Sequence, residues 1–260
     1  MTTMTRPPAP VDPVGVDLTR TLRALKLGGM ADTLPERLVL ARQQHLGHAA
    51  FLELVLSDEV TRREGRSATL RAAKAGLDPT MRLDTFDDQP DLSYDRQLWS
   101  DLTTLRFAEA GTGVLILGPV GVGKTHLATA LGHIAIRRRM TVGFHRADKL
   151  FTRLRAARLD NTLDAEVRRL TSIDLLIVDD FALRALDATQ TNDFYEIVVE
   201  RHRRVPTIWV SNREPAEWLG LTTDALLAQS AIDRLTSGAH TLVVAGELRG
   251  RGSLGLWAPS

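Results

Sequence analysis

Apolar and polar positions follow two different patterns along this chain, and the change falls near residue 96. From there onward, short apolar runs are separated by longer stretches with helical spacing, as in strands that alternate with helices. The predicted strands are 114–117, 141–145, 174–178, 207–211 and 241–245. Helices are predicted between them, among others at 147–158 and 188–204. This order predicts an α/β fold with a parallel five-stranded sheet and helices on both faces.

The first part of the chain predicts helices only. Residues 17–75 carry leucines at helical spacing, such as Leu18, Leu22 and Leu25, and predict a small all-helical N-terminal domain that docks a partner or DNA. The other predicted segments are a flexible tail at 1–16, an extended linker at 76–95, the α/β domain at 96–248 and a C-terminal tail at 249–260.

A glycine-rich segment joins the first predicted strand to the helix after it. It reads G-x-x-x-x-G-K-T, the phosphate-binding P-loop, and its Lys124 is one of only four lysines beside twenty-nine arginines. Glycines let backbone N–H groups turn inward around an anion, and the helix start adds its positive dipole end. Lys124 would reach the β- and γ-phosphates, and the Thr125 hydroxyl would bind Mg²⁺. The predicted nucleotide-binding residues are Gly118, Pro119, Val120, Gly121, Val122, Gly123, Lys124, Thr125 and His126.

Two adjacent carboxylates follow the apolar run 174–178. Because the carboxyl ends of parallel strands meet at one edge of a sheet, we predict that Asp179 lies beside the P-loop and supports Mg²⁺ together with Thr125. Asp180 is predicted to act as general base toward the attacking water. Adjacent side chains of a strand point to opposite faces, so both can serve one site only if the strand turns. The alternative for this pair is ordinary turn chemistry.

Asn212 and Arg234 are the remaining candidates, and each has a structural alternative. Asn212 follows the strand 207–211 and could bind the γ-phosphate or the attacking water, but Asn-Arg-Glu-Pro is also a turn sequence. A guanidinium such as that of Arg234 suits the charge that develops on a γ-phosphate. It could equally be a surface arginine paired with Asp233 or Asp224.

Composition excludes some classes of site and protein. Hydrophobic residues make up 43% and charged residues 25% of the 260 residues, as in a soluble globular protein. The absence of cysteine excludes disulfides and thiolate metal sites. No apolar run approaches the roughly 20 residues needed to cross a bilayer, and the first residues lack the apolar core of a signal peptide, so we expect a cytoplasmic protein without a membrane partner. With a net charge of +1, binding to nucleic acid would depend on a local basic face.

Four segments together resemble one known family, the IstB-like ATPases. These are transposition helper proteins of the AAA+ superfamily and are related to the DnaC helicase loaders. The resemblance extends from about residue 18 to about residue 248. The segments that carry it most clearly are 118–128, 174–181, 211–213 and 231–235.

The resemblance implies an AAA+ core and a role for each candidate residue. In such proteins the arginine finger acts on nucleotide held by the neighbouring subunit. Two departures stand out: AAA+ proteins generally carry Asp-Glu at Walker B, so the shorter Asp180 predicts slow hydrolysis, and Ala182 replaces a usual glycine. The implied roles are Walker A for Lys124 and Thr125, Walker B for Asp179 and Asp180, sensor 1 for Asn212 and arginine finger for Arg234.

The resemblance also implies cofactors and partners. We expect ATP and Mg²⁺ as cofactors, assembly into a homo-oligomer that depends on ATP and DNA, and engagement of the transposase of the same insertion element. The alternative is a helicase loader that engages a replicative helicase. A P-loop GTPase is disfavoured because the Asn-Lys-x-Asp signature is absent.

Duplex DNA is the other expected partner, bound largely without regard to sequence, because no base-reading motif is apparent. Several basic clusters could contact its phosphates. Each could instead be a solvated helix end, where arginine suits the helix dipole. The clusters are Arg137 to Arg139, then Arg153, Arg155 and Arg158, then Arg168 and Arg169, then Arg201, Arg203 and Arg204.

Overall fold

The computed structural model describes residues 14–86 and 92–246. The chain divides into two compact units, Met1–Ser67 and Ala68–Ser260. Some predicted segments lie wholly or largely outside the described residues, namely the tails 1–16 and 249–260 and the part 87–91 of the linker.

The first unit is built from helices. Its apolar core gathers the buried side chains of Val14, Leu22, Met30, Leu34 and Val55. Four of these positions lie in helices and Val14 precedes the first helix, so the unit has a small core of its own. The helices are α1 (Val16–Ala24), α2 (Met30–Gln43) and α3 (His48–Ala75), and the last continues into the second unit.

The second unit alternates helices and strands, and this confirms the predicted fold class. Each strand lies within a few residues of its predicted position, and all the pairings are parallel. The elements in chain order are α4 (Arg96–Thr103), α5 (Arg106–Glu109), β1 (Val114–Leu117), α6 (Lys124–Arg137), β2 (Val142–Arg146), α7 (Ala147–Leu159), α8 (Leu163–Thr171), β3 (Leu175–Phe181), α9 (Ala188–Arg201), β4 (Thr207–Ser211), α10 (Pro215–Trp218), α11 (Ala225–Thr236) and β5 (His240–Val243).

The strands form one sheet in the order β2-β3-β4-β1-β5. The register pairs Val114 with Ile208 and His240 at the start of β1, and Leu117 with Ser211 and Val243 at its end. All carboxyl ends therefore lie along one edge of the sheet and all amino ends along the other. We call these the carboxyl edge and the amino edge.

The apolar strands are buried on both faces, because alternate side chains enter different cores. Val114 and Ile116 pack in one core with α4 and α6, whereas Leu115 and Leu117 pack in the other with α7, α9 and α11. Such continuous burial explains why the strands read as unbroken apolar runs.

Residues 76–86 belong to the second unit and pack against α6, in the region for which the sequence predicts an extended linker. Leu77 is 4% exposed and belongs to the core on the α6 side of the sheet. A Cβ at Gly132 of α6 would lie 2.9 Å from Leu77, so helix and segment are in close contact. The His133 Nε2–H also donates to the carbonyl oxygen of Asp78 over 2.8 Å. The proline and aspartate content of the segment gave no sign of this packing.

Among the described residues, none of the helices combines the length and the apolar character that crossing a membrane requires.

Candidate functional site

The P-loop lies at the carboxyl edge, between the end of β1 and the start of α6, as its sequence predicts. Two of its glycines occupy places that other residues would not fit. Gly118 has φ +145, and a Cβ there would overlap the carbonyl oxygen of Val244. Gly123 has φ +90, and a Cβ there would come within 3.0 Å of the Phe86 ring. The backbone of the loop therefore requires glycine, which has no side chain, at these two positions.

Lys124 is held inside this loop. Its side chain is buried, with 6% of the residue exposed, and its Nζ donates to the Pro119 carbonyl oxygen over 2.6 Å. Burial lowers the pKa of Lys124 to about 8, although the nearby charges of Asp179 and Asp180 act in the opposite direction. The ammonium thus lies in a polar loop with few protein partners, which suits binding to an anion.

Thr125 and Asp179 meet, although they are far apart in sequence. The Thr125 hydroxyl lies 3.1 and 3.2 Å from the two carboxylate oxygens of Asp179, to which it donates. Asp179 is 3% exposed, and burial, followed by the charge of Asp180, raises the pKa of its carboxyl group. A buried carboxylate beside a hydroxyl is an oxygen donor set that suits Mg²⁺.

This donor set is small, which bears on whether Mg²⁺ would fit it. Within the described residues there is no cluster of three or more His, Cys, Asp or Glu side chains that could hold a metal ion. Mg²⁺ usually binds through one or two carboxylates and completes its shell with waters and phosphate oxygens. The residues present therefore fit Mg²⁺ that arrives with a nucleotide.

A distortion in β3 separates the two aspartates. Asp180 has φ +54, and the pairing of β3 with β4 shifts between Val178 and Phe181. A residue inserted in this way breaks the simple alternation of side chains along a strand. Asp179 faces Thr125, and Asp180 pairs with the Arg146 guanidinium over 3.1 Å. Both carboxylates remain near Lys124, since both affect its pKa.

Asn212 follows β4 and lies at the same edge as the P-loop, because Ser211 is in register with Leu117 at the end of β1. Ser211 is fully buried, and its hydroxyl donates to the Phe181 carbonyl oxygen over 2.8 Å. This bond ties the end of β4 to the distorted part of β3. The half-buried Asn212 therefore stands on a fixed backbone close to the aspartates.

Arg234 lies at the opposite edge of the sheet. It belongs to the last turn of α11, and the chain enters β5 at His240, which is in register with the start of β1. Arg234 also lines a cavity with Gly113 and Thr207, which lie just before β1 and at the start of β4. The structure therefore does not bring Arg234 to the P-loop of its own chain.

Sequence reasoning missed two contacts of the site. One is the pairing of Asp180 with Arg146, which could have been sought because Arg146 ends the strand next to β3. The other is Phe86, whose ring packs on Gly123 and edge-to-face on His126, with centroids 5.2 Å apart. His126 Nε2–H also donates to the Arg82 carbonyl oxygen over 2.7 Å, so this P-loop residue anchors the preceding segment.

One arginine of the candidate basic clusters is buried and fits neither a DNA contact nor a solvated helix end. Arg201 is 2% exposed, and it donates to the Thr207 hydroxyl and to the carbonyl oxygens of Leu170, Ile173 and Pro206. It joins α9 to α8 and to the starts of β3 and β4, so its guanidinium is not available to DNA. The arginines of α7 are partly exposed, but each is paired with a carboxylate. The pairs are Arg153 with Glu166, Arg155 with Asp187 and Arg158 with Asp193.

Comparison with known proteins gives the family. The family model described as IstB-like ATP binding protein matches residues 20–252. The chain belongs to this family. A Mycobacterium tuberculosis protein named as an insertion-sequence ATP-binding protein is 37% identical over 88% of this chain and 92% of its own length. An ATP-binding protein of insertion sequence IS21 from Pseudomonas aeruginosa is 30% identical over 89% of this chain and 87% of its own. Membership confirms the resemblance found in the sequence.

Solved structures share the fold of the α/β unit of this IstB-like chain. The DnaC helicase loader superposes with a TM-score of 0.54 at 18% identity, over 64% of this chain and 97% of its own. The replication initiator DnaA, bound to AMPPCP and single-stranded DNA, gives 0.53 at 24% identity, over 66% of this chain and 51% of its own. At these identities the likeness concerns the fold alone.

Proposed function

We propose that this IstB-like chain binds ATP with Mg²⁺ at its P-loop, hydrolyses the ATP, assembles with further copies on duplex DNA and engages the transposase of its insertion element. One observation carries the catalytic part of the proposal. A buried lysine, a threonine hydroxyl and a buried carboxylate converge where β1 ends, namely Lys124, Thr125 and Asp179. The names of the family and of its relatives support ATP as the nucleotide and an insertion sequence as the context.

Nucleotide binding would begin with an exchange of partners at Lys124. Its ammonium would leave the Pro119 carbonyl oxygen, 2.6 Å away, for the β- and γ-phosphate oxygens. A charged acceptor makes a stronger hydrogen bond than a neutral carbonyl does. Because burial depresses the pKa of Lys124 to about 8, a phosphate at this place would also restore the full charge of the ammonium.

Thr125 and Asp179 would hold Mg²⁺, which supplies positive charge that orients the phosphates and stabilises their developing negative charge. Asp180 would then take the proton of the attacking water, and Asn212 would hold that water or the γ-phosphate. For this, Asp180 must first leave Arg146, with which it pairs over 3.1 Å. Hydrolysis in the isolated chain is therefore expected to be slow.

Arg234 would complete the site of a neighbouring copy. Since it lies at the amino edge and the P-loop at the carboxyl edge, one chain cannot bring the two together. A head-to-tail contact between copies would do so, and it repeats from copy to copy into a ring or spiral. Assembly and nucleotide binding would thus depend on each other.

DNA binding would use arginines that remain at the surface, because Arg201 is buried. The α7 arginines keep about half of their side chains exposed, even though they are paired with carboxylates. Phosphates could replace these partners, and repetition around an assembly would multiply the contacts. Such binding would depend strongly on salt and little on sequence.

Calorimetry with Mg·ATP tests the nucleotide site. We expect binding by the unmodified chain and no binding by Lys124→Ala, because that change removes the buried ammonium. Lys149→Ala is the matched control, since Lys149 is an exposed lysine of α7. Equal heats for the unmodified chain and Lys124→Ala would show that the P-loop does not bind the nucleotide.

Sizing chromatography tests assembly. The chain should elute as a larger species with a slowly hydrolysed ATP analogue and duplex DNA than with either alone. If it stays monomeric in every case, the assembly part of the proposal is wrong.

A helicase loader is the second candidate, and the DnaC-like fold favours it. Capture experiments with the full chain, ATP and DNA separate the two. Retention of an insertion-sequence transposase supports the first candidate. Retention of the replicative helicase alone supports the second.

A further inference from the structure

A cavity of about 330 Å³ opens at the amino edge of the sheet, where β1 and β4 begin. Its charged lining is entirely basic, and none of the described residues that line it is an aspartate or a glutamate. The basic lining residues are Arg201, His202, Arg203 and Arg234. We call this the basic cavity. A cavity lined by one sign of charge concentrates counter-ions, so an anion is the class of ligand that it suits.

The base of the cavity is rigid. Arg201 donates four hydrogen bonds to neighbouring acceptors and serves the fold. Its carbonyl oxygen accepts from the backbone N–H of Arg204 and of Val205, over 3.1 and 3.2 Å, and this closes a tight turn. Arg203 lies within the turn, exposed and with φ +56. That backbone conformation costs an arginine roughly 1–2 kcal/mol and costs glycine little.

His202, Arg203 and Arg234 line the same cavity. Burial, followed by the charges of Arg203 and Arg234, lowers the pKa of His202. The lowered pKa favours the neutral imidazole, so the positive charge of the lining comes from the guanidinium groups. An anion that shares the space would reduce the repulsion between these like charges.

Arg234 is partly engaged by its own helix. Its Nη1 donates to the Ser230 carbonyl oxygen over 2.8 Å and also to the Ser230 hydroxyl. Its guanidinium carbon lies 5.9 Å from the centre of the Tyr195 ring. These contacts orient the side chain, and a guanidinium has five N–H donors in all, so orientation and anion binding are compatible.

Under the proposed function, Arg234 meets the terminal phosphate of a nucleotide held by the P-loop of a second copy of this chain. We propose that Arg203, which lines the same cavity, supplies a second guanidinium to that phosphate. The inference rests on the proposed function. Three observations favour a phosphate presented by another copy. The cavity is at the small end of ligand pockets, which are usually about 300–1,000 Å³, so it suits one end of a nucleotide. Its charge is suited to an anion. It lies at the edge opposite to its own P-loop.

Arg203→Gly is the variant that tests this inference. It removes the guanidinium and leaves a residue that accepts φ +56 without strain, so the fold should be at least as stable as before. We expect Mg·ATP affinity to be unchanged and turnover with duplex DNA to fall by roughly 10- to 100-fold, as for loss of one hydrogen-bonded charge on a phosphate. Arg204→Ala is the matched control, because Arg204 is the next residue, pairs with Glu200 and does not line the cavity. Equal turnover in Arg203→Gly and Arg204→Ala would overturn the inference.

A mixing experiment tests whether Arg203 acts between copies. Lys124→Ala keeps the basic cavity but lacks the ammonium of the P-loop, whereas Arg203→Gly keeps the P-loop. In an equal mixture, about a quarter of the head-to-tail contacts join an intact P-loop to an intact cavity, so turnover should rise toward that fraction of the unmodified rate. No recovery would place the effect of Arg203 within one chain and overturn the inference.

Two further readouts separate other causes. If Arg203→Gly weakens duplex binding and leaves turnover unchanged, the cavity binds DNA phosphates and the inference is wrong. If the unmodified chain neither binds nor hydrolyses ATP, the proposed function fails. If Arg203→Gly binds and hydrolyses ATP as the unmodified chain does, the inference about Arg203 is wrong and the proposed function stands.

Discussion

Arg201→Met is expected to destabilise the fold without affecting DNA contacts directly. Methionine keeps most of the apolar stem but removes every N–H donor. Three carbonyl oxygens and one hydroxyl then lose a partner at a place where Arg201 is 2% exposed. Each unsatisfied buried acceptor costs about 1–3 kcal/mol.

Removal of a buried charge offsets part of this cost. Burial lowers the pKa of Arg201 to about 10, so the guanidinium is still charged at neutral pH and its desolvation already weakens the fold. Four acceptors that each lose a partner, at about 1–3 kcal/mol apiece and less this offset, leave a net loss of about 3–5 kcal/mol. We expect a loss of this size in the free energy of unfolding.

Urea denaturation followed by circular dichroism measures the loss. With a slope of a few kcal/mol per molar, the midpoint should fall by roughly 1–2 M. Arg204→Ala serves as control, since a surface change is usually within about 0.5 kcal/mol of neutral. If the two variants have the same midpoint and only Arg201→Met loses duplex affinity, Arg201 is a DNA contact and the reasoning from its burial is refuted.

Four further predictions concern the P-loop and its surroundings. Because burial holds the pKa of Lys124 near 8, the ammonium is lost as pH rises through that value, and calorimetry should show Mg·ATP affinity falling about tenfold per pH unit above it; constant affinity up to about pH 9.5 would contradict this. Asp180→Asn should keep ATP affinity and lower turnover by roughly 10²- to 10⁴-fold, and normal turnover would exclude it as the base. Arg146→Ala should raise turnover by up to about fivefold, because a partly exposed ion pair contributes about 0.2–1 kcal/mol, and a fall would show that Arg146 assists the reaction. Gly118→Ala should lower the free energy of unfolding by at least about 1 kcal/mol, because its Cβ overlaps the carbonyl of Val244, and an unchanged urea midpoint would disprove the overlap.

The sequence predicted those parts of the fold that depend on local chemistry. The strand 114–117 was placed correctly because its side chains are buried on both faces and read as one apolar run. The P-loop is visible in the sequence because its backbone needs glycine at certain places. Gly118 and Gly123 have positive φ angles, which glycine tolerates best, and the Gly-Lys-Thr sequence marks the start of the helix. In both places a few neighbouring residues determine the structure.

The parts that escaped prediction depend on contacts between distant residues. Arg201 resembles the neighbouring surface arginines in sequence, but two of its acceptors lie about thirty residues earlier, at Leu170 and Ile173. The contact between Phe86 and Gly123 likewise joins two segments whose sequences carry no mark of each other. The charge of a residue and the composition of a segment describe local chemistry. The residues that they contact are determined by the tertiary fold.

The two edges of the sheet explain why Arg234 lies away from the P-loop of its own chain. Parallel pairing sends the ends of β1, β3 and β4 to the carboxyl edge, so that edge gathers the groups suited to bind and cleave a triphosphate. Two helices, α9 and α11, return the chain to the amino edge before β4 and before β5. Arg203 follows α9, and Arg234 lies in the last turn of α11. A parallel sheet with helical crossovers necessarily places these returns opposite the P-loop. Positive charge at the amino edge can therefore act on a nucleotide only when another copy presents one, and under the proposed function this makes turnover a property of the contact between two copies.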